Sequence, residues 1–434
     1  MISISTCAIA LLLSSVPFAA SAPQANPAPS GTKTASAAAV SVTVPPISLD
    51  PNPPLWNASV VDTPQAVRGS LGASVIGPTD AEIVKQNPDL LAPPTTDHGS
   101  VPNAKWPFSL SHNRLQTGGW SRQQNEDVMP IATQMAGVNM RLEAGSIREL
   151  HWHKTSEWAY VIKGSVQVTS VDSGGRNYIA VAGPGDLWYF PPGTPHSLQA
   201  TADDPDGAEF LLVFNSGAFS EDSTFLLTDW LAHVPAEVLA KSFQTDISAF
   251  GHIPDHELYI FPGVPPTSSD APVSPEGAVP NPFSFPFSKV VPTQLNGGTV
   301  KIVDTRSFAV SQLISAAEVT VEPGAIRSWH PTQDEWSFFL EGEGRVSIFA
   351  AQSNARTFNY QAGYVPASMG HYVENTGNTT LRFLEIFNSN IFEDISLSNW
   401  LALTPPDLVQ AHLGFDDATL AKLPKSKPVV VGPK

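Results

Sequence analysis

Gly145-Ser-Ile-Arg148-Glu-Leu-His151-Trp-His153-Lys-Thr-Ser-Glu157, followed by an apolar run to Gly164, is the stretch that decides the fold. His151 and His153 stand two residues apart and Glu157 four further on, so on an extended strand all three side chains point to one face. Downstream, Gly185-Asp-Leu-Trp-Tyr-Phe-Pro-Pro-Gly193-Thr-Pro-His196 carries a strand-like aromatic run into a Pro/Gly turn and delivers one more imidazole. Three histidines and a carboxylate form most of the coordination sphere of a hard divalent ion and leave two octahedral positions exchangeable.

A lone His-x-His pair is common on half-exposed strands and says little. The full spacing is far more specific. Gly145, five residues, His-x-His, three residues, Glu157, six residues and Gly164 make the first half; Gly185, five residues, Pro-x-Gly, two residues and His196 make the second. Together they resemble the two cupin motifs. The resemblance implies a small antiparallel double-stranded β-helix, or jelly roll, with a metal inside its mouth.

At 434 residues the chain has room for two or three domains, and 42% hydrophobic residues suffice for sizeable cores. A net charge of −17 argues against nucleic acid or an anionic membrane as partner, and requires a basic group inside any site that takes an anionic substrate. Residues 1–22, apolar and ending in Ala20-Ser-Ala22, read as a secretory signal peptide too short to span a bilayer comfortably, so the protein is expected outside the cell. The only cysteine, Cys7, would leave with that segment. Asn57-Ala-Ser59 and Asn378-Thr-Thr380 are glycosylation acceptors in an exported chain.

Residues 23–105 form a Pro-, Ala- and Ser-rich extension whose later part is expected to wrap a neighbour through Trp56, Val60 and Leu90-Leu91. From Trp106 the chain repeats itself. Trp106-Pro-Phe-Ser returns as Phe285-Pro-Phe-Ser, and Gly145-Ser-Ile-Arg148 as Gly324-Ala-Ile-Arg327, both at an offset of 179. Two domains follow, 106–262 and 285–425, joined by a linker over 263–284 and trailed by residues 426–434. Both are β-rich, and each closes in a helical stretch opened by Pro235 or Pro405.

The offset drifts at the two motifs. Aligned on Trp-His, copy two has Ser328-Trp-His330 where copy one has His151-Trp-His153, which leaves His330, Glu335 and His371 one ligand short. The span Gly363–His371 is three residues shorter than Gly185–His196, an odd number expected to flip or bulge that strand. The second site is therefore expected to bind metal weakly or not at all, the alternative being a water as substitute ligand. Between Phe219 and Trp230 copy one is longer by three residues, within Ser220-Glu221-Asp222-Ser223-Thr224. A polar loop present only beside the complete site is a candidate lid; the plain alternative is a connector of variable length.

With both motifs, the duplication and this loop, residues 106–425 resemble the secreted bicupin oxalate decarboxylases. The resemblance implies manganese and dioxygen as cofactors, oxalate as substrate, formate and carbon dioxide as products, and assembly into trimers or hexamers through the helices. It places His151, His153, Glu157 and His196 on the metal. Arg148 lies on the substrate carboxylate, although an odd step separates it from His151. Glu221 is the lid proton donor. Arg327 is the substrate-binding counterpart in copy two. The family loop commonly reads Ser-Glu-Asn-Ser, whereas this chain has Asp222 third. Oxalate oxidase, which lacks a lid acid, and a non-catalytic storage or binding bicupin are the alternatives.

Overall fold

The computed structural model describes residues 63–267, 272–330 and 333–433. The signal-peptide reading of 1–22, Cys7, the anchors Trp56 and Val60, and the glycosylation acceptor Asn57 fall outside the described residues. Each repeat folds as a pair of antiparallel sheets, because its strands alternate inward apolar and outward side chains and are punctuated by Gly and Pro turns. In copy one, a seven-stranded sheet runs Ser284–Phe285, Leu187–Phe190, Glu157–Lys163, Ala208–Phe214, Ala136–Leu142, Gly119–Gln124, Arg114–Gln116. The facing sheet runs Phe225–Leu226, Ile147–Trp152, His196–Ala200, Val166–Val171, Asn177–Ala182, with Ile260–Phe261 also on Ile147–Trp152. Copy two repeats this plan, with Val430–Val431 on Ile326–His330 in the place of Ile260–Phe261. The duplicated all-β architecture with helical ends is thus present: helices Ala236–Phe243 and Pro406–Leu413 follow the barrels. No helix among the described residues is long and apolar enough to cross a membrane.

The strand Glu157–Lys163 shows how alternation builds the whole. Ala159 and Val161 face the interior of their own barrel, whereas Trp158 and Tyr160 face a second core shared with Trp336, Tyr364 and Ile386 of copy two. The two barrels are therefore fused through a buried aromatic layer. Trp336 donates its indole N–H to Gln124 Oε1 at 2.6 Å across that layer, and Gly137 is obligatory there because a Cβ would overlap the Trp336 ring. The described part of the extension lies along copy two: His98 bridges Ala355, Asp97 accepts from Thr357, and Asp89 bonds Asn359. Polar anchors hold it there, and Leu90 is left exposed.

Two local registers differ from expectation. Val365 pairs with Glu335 as Phe190 pairs with Glu157, so the strand before the second histidine turn is neither flipped nor bulged. The three missing residues fall earlier, in the turn ahead of Ala362–Val365, and Gly363 occupies the place of Trp188 rather than of Gly185. Likewise His330 pairs opposite His371 as His151 pairs opposite His196, and Arg327 opposite Val373 as Arg148 opposite Leu198. Ser328 N–H bonds Val429 O as Glu149 N–H bonds Tyr259 O. His330 is thus the counterpart of His151, and the position lost from copy two is that of His153, which by count falls on Thr332.

Candidate metal centre and its lid

His151 ends the strand Ile147–Trp152, His153 follows it, His196 opens the neighbouring strand, and Glu157 opens a strand of the opposite sheet. All four side chains are buried, and their donor atoms lie within 4.8 Å of one another. Each histidine presents Nδ1 to a backbone carbonyl: His151 to Glu149 O at 2.6 Å, His153 to Thr155 O at 2.7 Å and His196 to Thr194 O at 2.8 Å. A carbonyl only accepts, so Nδ1 carries the proton in all three and the Nε2 lone pairs converge. Burial holds His151 and His196 below their ordinary pKa and thus neutral, His151 the more so because Arg148 lies near.

The carboxylate completes the argument for a cation. Glu157 Oε1 accepts from the Trp188 indole at 2.8 Å, which leaves Oε2 facing His153 Nε2 at 3.2 Å and His196 Nε2 at 3.4 Å. Burial alone would raise this carboxyl, but its contacts with the His196 and His153 imidazoles outweigh that and hold Glu157 well below the ordinary carboxylate range, so it is ionised. His196 Nε2 is buried with no hydrogen bond. Acceptors facing acceptors at these distances, in a dry site, require a positive charge among them. Imidazole nitrogen with one carboxylate oxygen and no sulfur is a donor set that fits Mn(II), among other divalent ions.

Arg148 reaches the same interior despite its odd spacing. One residue lies between His196 and Leu198, while two lie between their partners His151 and Arg148, so a β-bulge at Glu149-Leu150 inserts one residue and turns Arg148 inward. Its Nη2 donates to Glu221 Oε2 at 3.2 Å. Glu221 opens a single 3-10 turn, Glu221–Ser223, capped by Ser220 Oγ accepting from Asp222 N. That turn is pinned from inside by Gln123, whose Oε1 accepts from Glu221 N at 2.9 Å and whose Nε2 donates to Ser220 Oγ at 3.3 Å. Ser223 Oγ bonds Ser220 O, and Thr224 closes the loop. Asp222 points the other way, exposed, 3.3 Å from Arg114.

Sequence reasoning missed three participants. Tyr259 donates its hydroxyl to Glu221 Oε2 at 2.6 Å and contacts Ser121 Oγ at 2.6 Å. Burial, then the Glu221 charge, push its pKa far up, so it stays a donor. Its φ of +57°, unusual for a side chain of this size, is held by Glu149, whose Oε2 accepts from Tyr259 N at 2.8 Å. Glu149 also accepts from Leu258 N, Thr228 N and Thr228 Oγ1, so both oxygens are committed to the frame. The other two are Trp188 and Gln123.

Copy two keeps the Glu–His contact but differs around it. Glu335 Oε2 meets His371 Nε2 at 3.0 Å and its Oε1 accepts from Ser337. The side chain of His330 lies outside the described residues. Arg327 is wholly buried, with Nε and Nη2 on the two oxygens of Glu385 at 2.7 and 3.1 Å and Nη1 on Asp394 at 2.8 Å; Lys427 takes the other Asp394 oxygen. In this arrangement the Arg327 guanidinium faces two carboxylates of the chain rather than an open site.

A double-stranded barrel present twice in one chain, with three convergent imidazoles and a carboxylate at the mouth of the first copy, defines a two-domain cupin of the metal-binding kind. The family model described as Cupin matches residues 110–249 and 290–420. Over 380 residues the chain is 50% identical to oxalate decarboxylase OxdC of Bacillus subtilis, covering 86% of this chain and 98% of that protein. It is 37% identical to a probable oxalate decarboxylase of Arthroderma benhamiae, over 83% of this chain and 91% of that one. A solved structure of the Bacillus subtilis enzyme, described for its Mn(II) centres, superposes with a TM-score of 0.82 at 49% identity, covering 86% of this chain and all of that one. The chain belongs to the bicupin oxalate decarboxylase family.

Proposed function

We infer that the protein is an oxalate decarboxylase whose chemistry takes place in the first barrel. The observation that carries this reading is a carboxyl group, Glu221, buried on a short loop against Arg148 and Tyr259 beside the His151, His153, Glu157 and His196 group. The reaction converts oxalate dianion and one proton into formate and carbon dioxide. Manganese bound by the four side chains supplies Lewis acidity and one-electron redox chemistry, with dioxygen as a cofactor that is not consumed.

The chain's own residues do the rest. Arg148 offers a planar guanidinium to a carboxylate end of the substrate. When that carboxylate takes Nη2, the Glu221 carboxyl is freed from Arg148 and keeps its contact with Tyr259. Tyr259 holds that carboxyl in place by its hydroxyl. Once carbon dioxide has left, the remaining one-carbon fragment receives the Glu221 proton on carbon and becomes formate. The closed loop keeps bulk water and further dioxygen away. Without the acid, the fragment instead loses an electron, and oxalate, dioxygen and two protons end as two carbon dioxide molecules and hydrogen peroxide.

The test is one incubation with oxalate at acidic pH in which formate, peroxide and metal are measured together. Formate as the main product is expected; peroxide in its place makes the protein an oxalate oxidase, and no turnover with no bound metal makes it a binding bicupin. The same reading extends to the whole protein. Residues 1–22 act as an export signal, and Asn378, in an exposed turn between two strands, is glycosylated. N-terminal sequencing and the mass shift on deglycosylation check both. The exposed faces of Trp230, Phe243, Trp400 and Leu403 on the terminal helical segments support assembly into a homo-oligomer, with trimer or hexamer as the resemblance implies, which light scattering reads directly.

A further inference from the structure

We propose that the ion pair between Asp222 and Arg114 is the latch of the loop 220–224, and that its strength sets how oxalate is divided between formate and peroxide. The proposal rests on the decarboxylase reading above, in which that loop is a lid. Arg114 is a positioning residue: it acts on the lid from the outside and touches neither substrate nor metal ligand.

The geometry is specific. Arg114 belongs to the edge strand Arg114–Gln116, more than a hundred residues before the loop. Its guanidinium lies 3.6 Å from the centre of the Tyr259 ring and is ion-paired to Glu257, so it is fixed before the lid arrives. Its remaining arm, Nη1, meets Asp222 Oδ1 at 3.3 Å. A guanidinium already held by stacking and by one carboxylate loses little side-chain freedom on taking a second. Glu221 and Asp222 thus form a two-sided closure, the first bonded inward to Arg148 and Tyr259, the second outward to Arg114. Both also line a cavity of about 710 Å³ that includes His112, Arg114, Arg122 and Asn125. Swinging the 3-10 turn outward breaks the Asp222 contact and opens the metal group toward this cavity. Asparagine at 222 would keep the shape but not the charge, so the acid at this position tightens the closed state.

Because Asp222 is largely exposed, the latch is weak and screened by salt. Exposed pairs of this kind shift an equilibrium by about two- to fivefold. The test follows lid opening by hydrogen exchange at the Glu221 amide, which is protected by Gln123, and the peroxide-to-formate ratio, each at low and high sodium chloride. In the native protein both should rise about two- to fivefold with salt. Asp222→Asn should show the raised values at low salt and no further response, and Asp222→Lys, which sets like charges together, should exceed it. Salt-independent exchange in the native protein, or an Asp222→Asn variant that matches it, overturns the latch. Glu221→Ala separates the two ideas: if it moves the product ratio while Asp222→Asn does not, the lid stands and the latch falls; if Glu221→Ala leaves formate intact, the lid reading itself fails.

Discussion

Replacing Trp188 by phenylalanine should weaken manganese binding by about 10- to 100-fold while leaving all four ligands in place. The indole N–H is the partner of Glu157 Oε1, at 2.8 Å and in a dry environment. A hydrogen bond to a charged group contributes about 1.5–3 kcal/mol, and at about 1.4 kcal/mol per tenfold that is about one to two decades of affinity. Outer partners of metal ligands independently show the same range. Without the N–H, Glu157 is free to turn both oxygens toward His153 and His196, so the metal-free form collapses onto the histidines and must be reopened by the ion. The substitution also shrinks a core side chain packed edge-on against Phe210 at 5.2 Å, which destabilises the barrel by about 1–3 kcal/mol on its own account. Phe210→Leu supplies the control, since it disturbs the same packing without touching the hydrogen bond. Free Mn(II) measured by electron paramagnetic resonance during titration of chelated protein gives the dissociation constant, and thermal unfolding gives stability. If Trp188→Phe binds manganese within twofold of the native protein, or if Phe210→Leu weakens binding equally, the orienting role of the indole is wrong.

Four further outcomes are expected. Elemental analysis should find about one manganese per chain, and two full equivalents would restore the second barrel as a metal site. Arg148→Lys keeps the charge but loses the planar fork, so turnover should fall by about two orders of magnitude or more with manganese still bound; unchanged kinetics would remove Arg148 from the site. Glu221→Ala should suppress formate and raise peroxide from the same metal content, and intact formate yield would assign the proton to another donor. Glu385 is buried in copy two and its pKa is raised to about 7 from 4.5. A carboxyl that binds its proton more readily folded than unfolded favours the native state at low pH, so its contribution should fade as pH rises from about 4.5 through 7. The change is of order 1–3 kcal/mol. It should vanish from the pH profile of melting in Glu385→Gln, and an identical slope in both proteins would refute the assignment.

The metal ligands of copy one were legible because they are local. Their spacing in one short stretch marked His151, His153 and Glu157 as a group, although the structure joins them by a turn from the end of one strand to the start of a strand in the opposite sheet rather than by alternation along one strand, and a Pro/Gly turn aims His196. Arg148 was not legible on the same grounds, since its inward direction depends on a bulge that exists only once Ile147–Trp152 is paired with His196–Ala200. Tyr259 is 111 residues from Arg148 and nothing near it in sequence marks it; its role is created by Glu149 drawing residues 258–259 back onto the barrel. Gln123 and Arg114 are likewise brought to the lid by sheet order alone. In copy two, matching Trp-His to Trp-His and Gly363 to Gly185 was the economical alignment by identity. Backbone pairing chose another, because hydrogen-bond partners constrain position more tightly than the recurrence of a residue type.

The contrast between the two arginines supports the proposal that the chemistry takes place in the first barrel. A guanidinium that must receive a substrate carboxylate has to stay under-neutralised in the folded chain. Leu212 pairs with Ala159 in copy one where Glu385 pairs with Ser337 in copy two, so Arg148 has an apolar neighbour on the strand from which Arg327 receives a carboxylate. Among the described residues, the sole carboxylate bonded to Arg148 is Glu221, and it sits on the proposed lid. Arg327 has Glu385 on a sheet strand and Asp394 clamped by Lys427, both parts of the frame. A substrate entering copy two would have to displace two buried carboxyl groups of the frame from one guanidinium, breaking three hydrogen bonds in a low-dielectric interior. In the proposed mechanism, substrate entering copy one has only the Glu221 carboxylate to displace from Arg148. Loss of the His153 equivalent and of the Trp188 equivalent in copy two is consistent with this division, since a barrel whose arginine is permanently satisfied has no further use for a complete metal site.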